Sequence, residues 1–514
     1  MDRRTFLAAA GAGLAGSITG NLFADQAAGG SAAAAAPPIE IELGQVTGAL
    51  PHFWENCAGS DRTAVGLREQ WRQDLVRAHR EAGIKAVRCH GLFDDEMGIA
   101  AQGAGKYNFL YVDQIYDYMI EHGVRPFVEL SFMPEAFASS ANRIFFYKGN
   151  ISPPRRWQDW FDMVQAFTRH CVQRYGINEV ASWKFEVWNE PNISFWAGTQ
   201  EQYFELYRQS ALAVKSVDKR LQVGGPSTAQ LGWIPDLIRF CATQNLPLDF
   251  VSSHVYPTDP QSYIFGKDNA YSYEEVIPRG VALVKQQVQD SAMPHLPVWI
   301  TEWSSSNPAF IAHTVNSCIG LAETMSYWTF DNDFEEQGVP NGIFNTSFGM
   351  IGQWGIAQPA FHAFAFLHKL GADRLKTSNG PVLATKRADG SAAILLWNLI
   401  PEKNTSLFAN GNPAAAGAGG NGVEGKEITL RLKFAGASGR HQVKVSQVND
   451  KVGTAIPKWK TMGSPAYPLP QQIAELRAAA ELPPAEIRQL TAAEPAEFSI
   501  TLPPNGIALL ELAR

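Results

Sequence analysis

Two glutamates carry the first chemical signal in this chain. The run Trp183-Lys-Phe-Glu-Val-Trp-Asn-Glu190-Pro191 favours a strand and stops abruptly at Asn189-Glu190-Pro191. Proline cannot continue a sheet ladder and biases the residue before it toward extended backbone, so Glu190 is predicted to be extended, at a strand's C-terminal end. Pro297-Val-Trp-Ile-Thr-Glu302-Trp303 closes in the same way. Paired carboxyl groups at the ends of separate strands suit glycoside hydrolysis, where one donates a proton and the other acts as nucleophile or base. One such glutamate alone would read as a solvated turn residue. Two of them, each closing an apolar strand, favour the catalytic reading.

The elements that must hold these groups alternate along the chain. After an opening strand at Ile39 to Thr47, strands are predicted at Ala86 to His90, Pro126 to Ser131, Trp183 to Asn189, Leu221 to Gly225, Phe250 to His254, Val298 to Thr301 and Thr324 to Phe330. Apolar residues at three- and four-residue spacing predict helices at Trp71 to Ala82, Leu110 to Glu121, Trp157 to Tyr175 and Tyr203 to Val217. The stripe Trp157, Trp160, Phe161, Val164, Phe167 reads as helix core. With a first barrel strand at Val46 to Asn56, the rhythm is that of an α/β fold, a (β/α)8 TIM barrel over residues 37–370, whose first strand could instead join the following domain. Residues 371–514 are predicted to form an accessory C-terminal antiparallel β-sandwich. Its strands are placed at Ala392 to Leu396, Glu427 to Lys433, Gln442 to Val448, Phe498 to Leu502 and Ile507 to Leu512, with one or two helices at Gln472 to Leu490. Asn410 to Gly425, rich in Gly, Ala and Asn, reads as a loop.

Composition narrows the function classes. The 514 residues are 45% hydrophobic and 18% charged, enough to bury a large core. A net charge of −7 gives no footprint for nucleic acid or an anionic membrane. Arg3-Arg4-Thr5-Phe6-Leu7 before an Ala/Gly-rich run reads as a twin-arginine export signal, with residues 1–36 as signal and linker and a periplasmic or secreted destination. The run is too short to span a bilayer. Five cysteines at wide spacing support neither a disulfide framework nor a metal knuckle, and no metal or organic cofactor is expected.

Together the motifs resemble glycoside hydrolase family 39, which contains β-xylosidases and α-L-iduronidases. Val187-Trp-Asn-Glu-Pro-Asn192 with Phe195-Trp196, Leu221-Gln-Val-Gly-Gly-Pro226, Phe250-Val-Ser-Ser-His-Val-Tyr256, Ile300-Thr-Glu-Trp303, and Tyr327-Trp-Thr-Phe330 with Phe334-Glu-Glu336 carry the likeness in order, as does Arg88-Cys-His90. The resemblance implies Glu190 as acid/base on the fourth strand, Glu302 as nucleophile on the seventh, and a cis peptide between Trp328 and Thr329. Arg88 and His90 share a face by the two-residue period, so Arg88 would support Glu302 while His90 meets a sugar hydroxyl. Asn189 would bind the 2-hydroxyl, and His254 and Tyr256 would face the sugar. Trp328 would form the pocket floor, Phe132 would narrow it, and Glu335 and Glu336 would accept hydroxyls. Lys184 is read as pairing with Glu186 inside the barrel. The chain departs from the family at the rim, where Asn345-Thr346-Ser347 replaces an expected His-Gly-Gly.

A barrel aldolase or phosphate-handling enzyme would want a strand-end lysine or a Gly-rich loop after the last strands, and neither is present. A non-catalytic carbohydrate-binding protein is a competing reading. The expected substrate is an oligosaccharide that loses β-D-xylose with retention, with α-L-arabinosidase and α-L-iduronidase-like activity as alternatives. Two observations favour xylose: no strand-end Arg or Lys is in place to meet a uronate, and a pocket narrowed by Phe132, Tyr256 and Trp328 could close around a ring without a C5 substituent and reject hexoses. A segment of about 40 residues between Tyr256 and Pro297, long for a barrel loop, could wall off further subsites and leave an exo-acting pocket. Oligomeric state is left open.

Overall fold

The computed structural model describes residues 37–344, 348–401, 425–437, 442–491 and 493–513. The segment 1–36 read as an export signal and linker, the rim tripeptide Asn345-Thr346-Ser347 and nearly all of the loop at 410–425 lie outside the described residues. Eight parallel strands close into a barrel: Ala58–Arg62, Ala86–His90, Arg125–Leu130, Lys184–Val187, Gln222–Thr228, Phe250–His254, Val298–Trp303 and Thr324–Tyr327. Each is followed by its helix, in turn Glu69–Ala82, Leu110–Glu121, Trp157–Tyr175, Gln200–Val217, Ile234–Gln244, Val276–Gln289, Pro308–Ser317 and Pro359–His368. Trp160, Val164 and Phe167 of the third helix are buried, as their spacing predicts.

The first barrel strand is not Val46 to Asn56. Pro51 ends the run, Phe53 and Trp54 are buried in the connection that follows, and the strand is the polar segment Ala58–Arg62. Its Ser60, Asp61 and Arg62 are all buried inside the molecule, so no hydrophobic alternation marks it. The segment between Tyr256 and Pro297 is also not one long loop, because Val276–Gln289 is the barrel's own sixth helix.

Inward-facing side chains stack in layers, as the two-residue period of a strand requires. At the bottom, Phe127, Phe250 and Trp299 meet with ring centroids 5.5 to 6.2 Å apart. Above them sits an ionic layer of Arg88, Glu129 and Glu186. The expected Lys184–Glu186 pair does not form. Residues two apart on a strand are separated by nearly 7 Å, so Arg88 takes Glu186 from the side while Lys184 lies 5.2 Å from the Trp299 ring centroid.

Nine of the remaining strands form one mostly antiparallel sheet, in which the N-terminal strand Ile39–Ala49 lies third from one edge. That strand runs antiparallel to Asp373–Thr377 and parallel to Ile428–Ala435. Ile41, Phe434, Val445, Phe498 and Leu510, from both halves of the sheet, bury one common core, so the sheet folds over on itself. On Ala392–Trp397 the alternation is clean: Ile394 and Leu396 join that core, while Ala393, Leu395 and Trp397 pack on the barrel. Of the segment predicted as helical at Gln472 to Leu490, only the first half is. Pro483-Pro484 breaks the helix Pro470–Ala480, and Glu486–Gln489 pairs as an edge strand with Gln442–Val448.

Candidate active site

The C-terminal ends of the barrel strands bring most of the predicted residues together. Glu190 ends the fourth strand, but in a left-handed conformation with φ of 45° rather than the extended one its proline predicts. Its backbone N–H donates to the Ser227 carbonyl on the next strand at 2.8 Å, and that bond overrides the local bias. Trp188 and Ser227 share the positive φ, at 72° and 55°, so the backbone around the site is held in sparsely populated conformations.

Glu302 receives two donors. Arg88 Nη1 lies 2.9 Å from its Oε1, and the Tyr256 hydroxyl donates to its Oε2 at 2.8 Å. His254 stands between the two glutamates, with Nδ1 3.1 Å from Glu190 and 3.5 Å from Glu302. One donor atom from each of Glu190, His254 and Glu302 lies within 4.8 Å of the others. Arg88 Nη2 also donates to Asn189 Oδ1 at 3.0 Å, which orients the Asn189 amide and leaves its NH2 as the donor edge.

Arg88 is fully buried and also faces Glu129 at 2.8 Å and Glu186 at 2.5 Å. Burial alone would favour loss of its charge, yet the carboxylates of Glu129, Glu186 and Glu302 hold its pKa above the ordinary arginine value. Burial likewise pushes the Glu129 carboxyl upward, but Arg88 and His90 bring it below the usual range. His90 donates into this arrangement through Nδ1, 2.8 Å from Glu129. Burial opposes the imidazolium, and Glu129, Glu336 and Glu302 outweigh it, so His90 titrates well above its usual value.

A group with a raised folded pKa gives stability that is complete below its unfolded pKa, near 6.5, and is lost as pH rises through the folded value. The stability margin of the wild type over His90→Asn is therefore expected to be largest below about pH 6.5 and to shrink as pH rises above it. Urea midpoints of both proteins across that range measure it, and a constant margin would rule out a charged His90.

Aromatic rings enclose the upper side. Tyr256, Trp328 and Phe348 form one buried cluster with Phe334 packed on it. Trp328 lies 4.6 Å from the His90 ring, and a Cβ on Gly59 of the first strand would come within 2.2 Å of it, so glycine there makes room for the indole. The Trp328–Thr329 peptide is cis, as the resemblance implies. Phe132 is fully enclosed between Trp188 and Phe145, with its ring 6.3 Å from His90, so it backs His90 rather than lining the pocket. Glu335 is not a free acceptor for a sugar. Arg62 and Arg68 donate to both of its oxygens at 2.8 to 3.0 Å and bring its carboxyl below the usual range against the effect of burial. Glu336 lies 3.6 Å from His90 Nε2.

Several residues of the site had gone unnoticed in the sequence. Glu129 is an acid within the apolar third strand, a signal that was there to be seen. Arg62 and Asp61 were hidden by the misplaced first strand. Burial and the Glu336 charge push the Asp61 carboxyl up to about 7 despite Arg62.

With this geometry in place, comparison with known proteins gives a consistent answer. The family profile described as glycosyl hydrolases family 39 matches residues 38–495. A β-xylosidase of Geobacillus stearothermophilus is 35% identical over 489 residues, covering 89% of this chain and 92% of that protein. A β-xylosidase of Caldicellulosiruptor saccharolyticus is 36% identical over 469 residues, 86% of this chain and 91% of the relative. The crystal structure of a β-xylosidase from Caulobacter crescentus CB15 superposes with a TM-score of 0.83 at 30% identity, over 92% of this chain and 99% of that one.

Proposed function

The chain belongs to glycosyl hydrolases family 39, and from that premise we propose that it is a retaining exo-β-xylosidase acting by double displacement. The observation that carries the reading is the closeness of the two carboxylates, whose nearest oxygens lie within 4.8 Å. Retaining enzymes hold their carboxyl groups about 5–5.5 Å apart, and inverting enzymes about 6.5–9.5 Å, to admit a water. In the first step Glu302 attacks the anomeric carbon as the bond to the leaving oxygen breaks, and Glu190 gives that oxygen its proton. In the second, Glu190 takes a proton from water, which attacks the same carbon and frees Glu302. Arg88 and Tyr256 hold the Glu302 carboxylate in position for attack. The Asn189 NH2 is the donor to the 2-hydroxyl, a bond that tightens in the transition state.

A neutral pentose fits the surroundings. Two arginines beside the eighth-strand loop, Arg62 and Arg68, are both committed to Glu335, so neither is free for a uronate carboxylate. The cluster of Tyr256, Trp328 and Phe348 suits a ring that carries no C5 substituent. On aryl glycosides, kcat/KM is expected to be highest on the β-xyloside, next on the α-L-arabinoside, and lower on the β-glucoside and α-L-iduronide. Proton NMR of the first-formed sugar should show the β-anomer. A best rate on the glucoside or iduronide would overturn the substrate, a first-formed α-anomer would overturn the mechanism, and no turnover at all would favour a sugar-binding protein.

Arg3-Arg4-Thr5-Phe6-Leu7 supports twin-arginine export to the periplasm or beyond. Replacing both arginines with lysine is expected to retain the protein in the cytoplasm, and unchanged export would refute that route.

A further inference from the structure

Away from the active centre, a second set of ligand-type side chains converges where the chain passes between sheet and barrel. His52 and Glu55 lie in the connection between Ile39–Ala49 and the first barrel strand. His368 ends the eighth barrel helix, just before the chain re-enters the sheet at Asp373. His52 Nδ1 and His368 Nδ1 stand 2.6 and 2.9 Å from Glu55 Oε1, and the three donor atoms lie within 4.8 Å of one another. We propose that His52, Glu55 and His368 form a site for a divalent transition-metal ion of the zinc type, bridging the two crossings between sheet and barrel.

Two imidazoles and one carboxylate are a donor set that zinc and its neighbours take, with a further position left to water. The His-x-x-Glu spacing delivers two donors from one turn, closed by the Glu55 N–H donating to the His52 carbonyl at 3.0 Å. The fold itself brings in the third. His52 is braced by stacking on Trp54, with ring centroids 4.7 Å apart and planes at 24°. Lys85 binds the other Glu55 oxygen at 3.1 Å, which fixes the carboxylate and leaves Oε1 to the ion. Gly83, with φ of 74°, borders the site. A Cβ there would fall 2.3 Å from His368 Nδ1, so glycine keeps that approach open.

The donors are in a state to bind. Glu55 faces both imidazoles through Oε1 and Lys85 through its other oxygen, so its carboxyl group is held in place for an ion. In the metal-free arrangement both Nδ1 atoms face Glu55 Oε1, and a metal ion bound there would take the place of the hydrogen between them. Among the described residues His52 Nε2 has no hydrogen-bond partner, so the polar contacts of that ring run through Nδ1. The His368 side chain is 39% exposed, which provides an entry path and room for a water ligand.

The test is a titration of metal-free protein with Co2+, read by its visible absorption, followed by displacement with Zn2+. Because Glu190, His254 and Glu302 also converge, it is run in wild type and in Glu302→Gln. Binding of one Co2+ per chain in both, weakened by about tenfold or more in His368→Ala and in Glu55→Gln, is the expected result. Circular dichroism checks that each variant is folded. Equal affinity in wild type and both site variants, loss of binding in Glu302→Gln, or no binding at about 100 μM metal would each overturn the site.

Discussion

Glu302→Ala is expected to lower turnover on every glycoside by on the order of 10⁴-fold or more, because no other group can form the glycosyl-enzyme. Its neighbour should behave differently. Glu190→Ala removes a proton donor, which costs about 10²–10⁴-fold where the leaving group needs protonation. An aryl xyloside with a nitrophenolate leaving group needs no such help, so its first step should survive in Glu190→Ala and the glycosyl-enzyme should accumulate. Added azide would then restore the second step and yield the β-xylosyl azide. Equal loss on all substrates in the two variants, or an α-azide product, would contradict the assigned roles.

Arg88→Met should show the second large effect, and on stability as much as on rate. The fully buried guanidinium is the counter-charge for Glu129, Glu186 and Glu302, at 2.5 to 2.9 Å. Removing one side of a buried ionic arrangement leaves uncompensated charge, which costs about 3–5 kcal/mol. Arg88→Lys keeps a charge but is a point donor that cannot span Glu129, Glu186, Glu302, Asn189 and the Ser227 hydroxyl at once, so it should recover part of the stability and little of the activity. Urea unfolding together with kcat/KM separates the two contributions. A loss in Arg88→Met within about 0.5 kcal/mol of zero, the range of ordinary surface substitutions, would show that the layer does not depend on the arginine.

What could be read from the sequence, and what could not, follows from the physics of each element. Ala86–His90 and Phe250–His254 coincide with their predicted strands because a short β-rich run between breakers has few alternatives. Leu110–Glu121 and Trp157–Tyr175 coincide because a long apolar stripe at helical spacing is unambiguous. Ala58–Arg62 escaped notice because its inward face carries polar groups that only the assembled barrel can satisfy, and Arg62 and Asp61 escaped with it. Glu335 was misjudged for a related reason. Its partners Arg62 and Arg68 lie far away in sequence, and nothing local distinguishes a glutamate held by two guanidinium groups from one facing a substrate. The positive φ of Glu190 is likewise a tertiary effect, imposed by the Ser227 carbonyl.

The strand Ile39–Ala49 sets the order in which this molecule can be assembled. It leaves the ribosome before the barrel, yet Ile41 pairs with Thr377 on one side and Phe434 on the other, so it waits unpaired through the synthesis of the whole barrel. Such long-range closure is slow, and during the wait an apolar strand presents both edges to other chains. No single cut separates the two units: a barrel fragment that begins before Leu50 carries an orphan strand, and a sheet fragment that begins after Leu370 lacks the strand that joins Asp373–Thr377 to Ile428–Ala435. The proposed export in folded form would require the protein to be held back until Ile507–Leu512, which pairs with Ala392–Trp397 and Gln442–Val448, has been made.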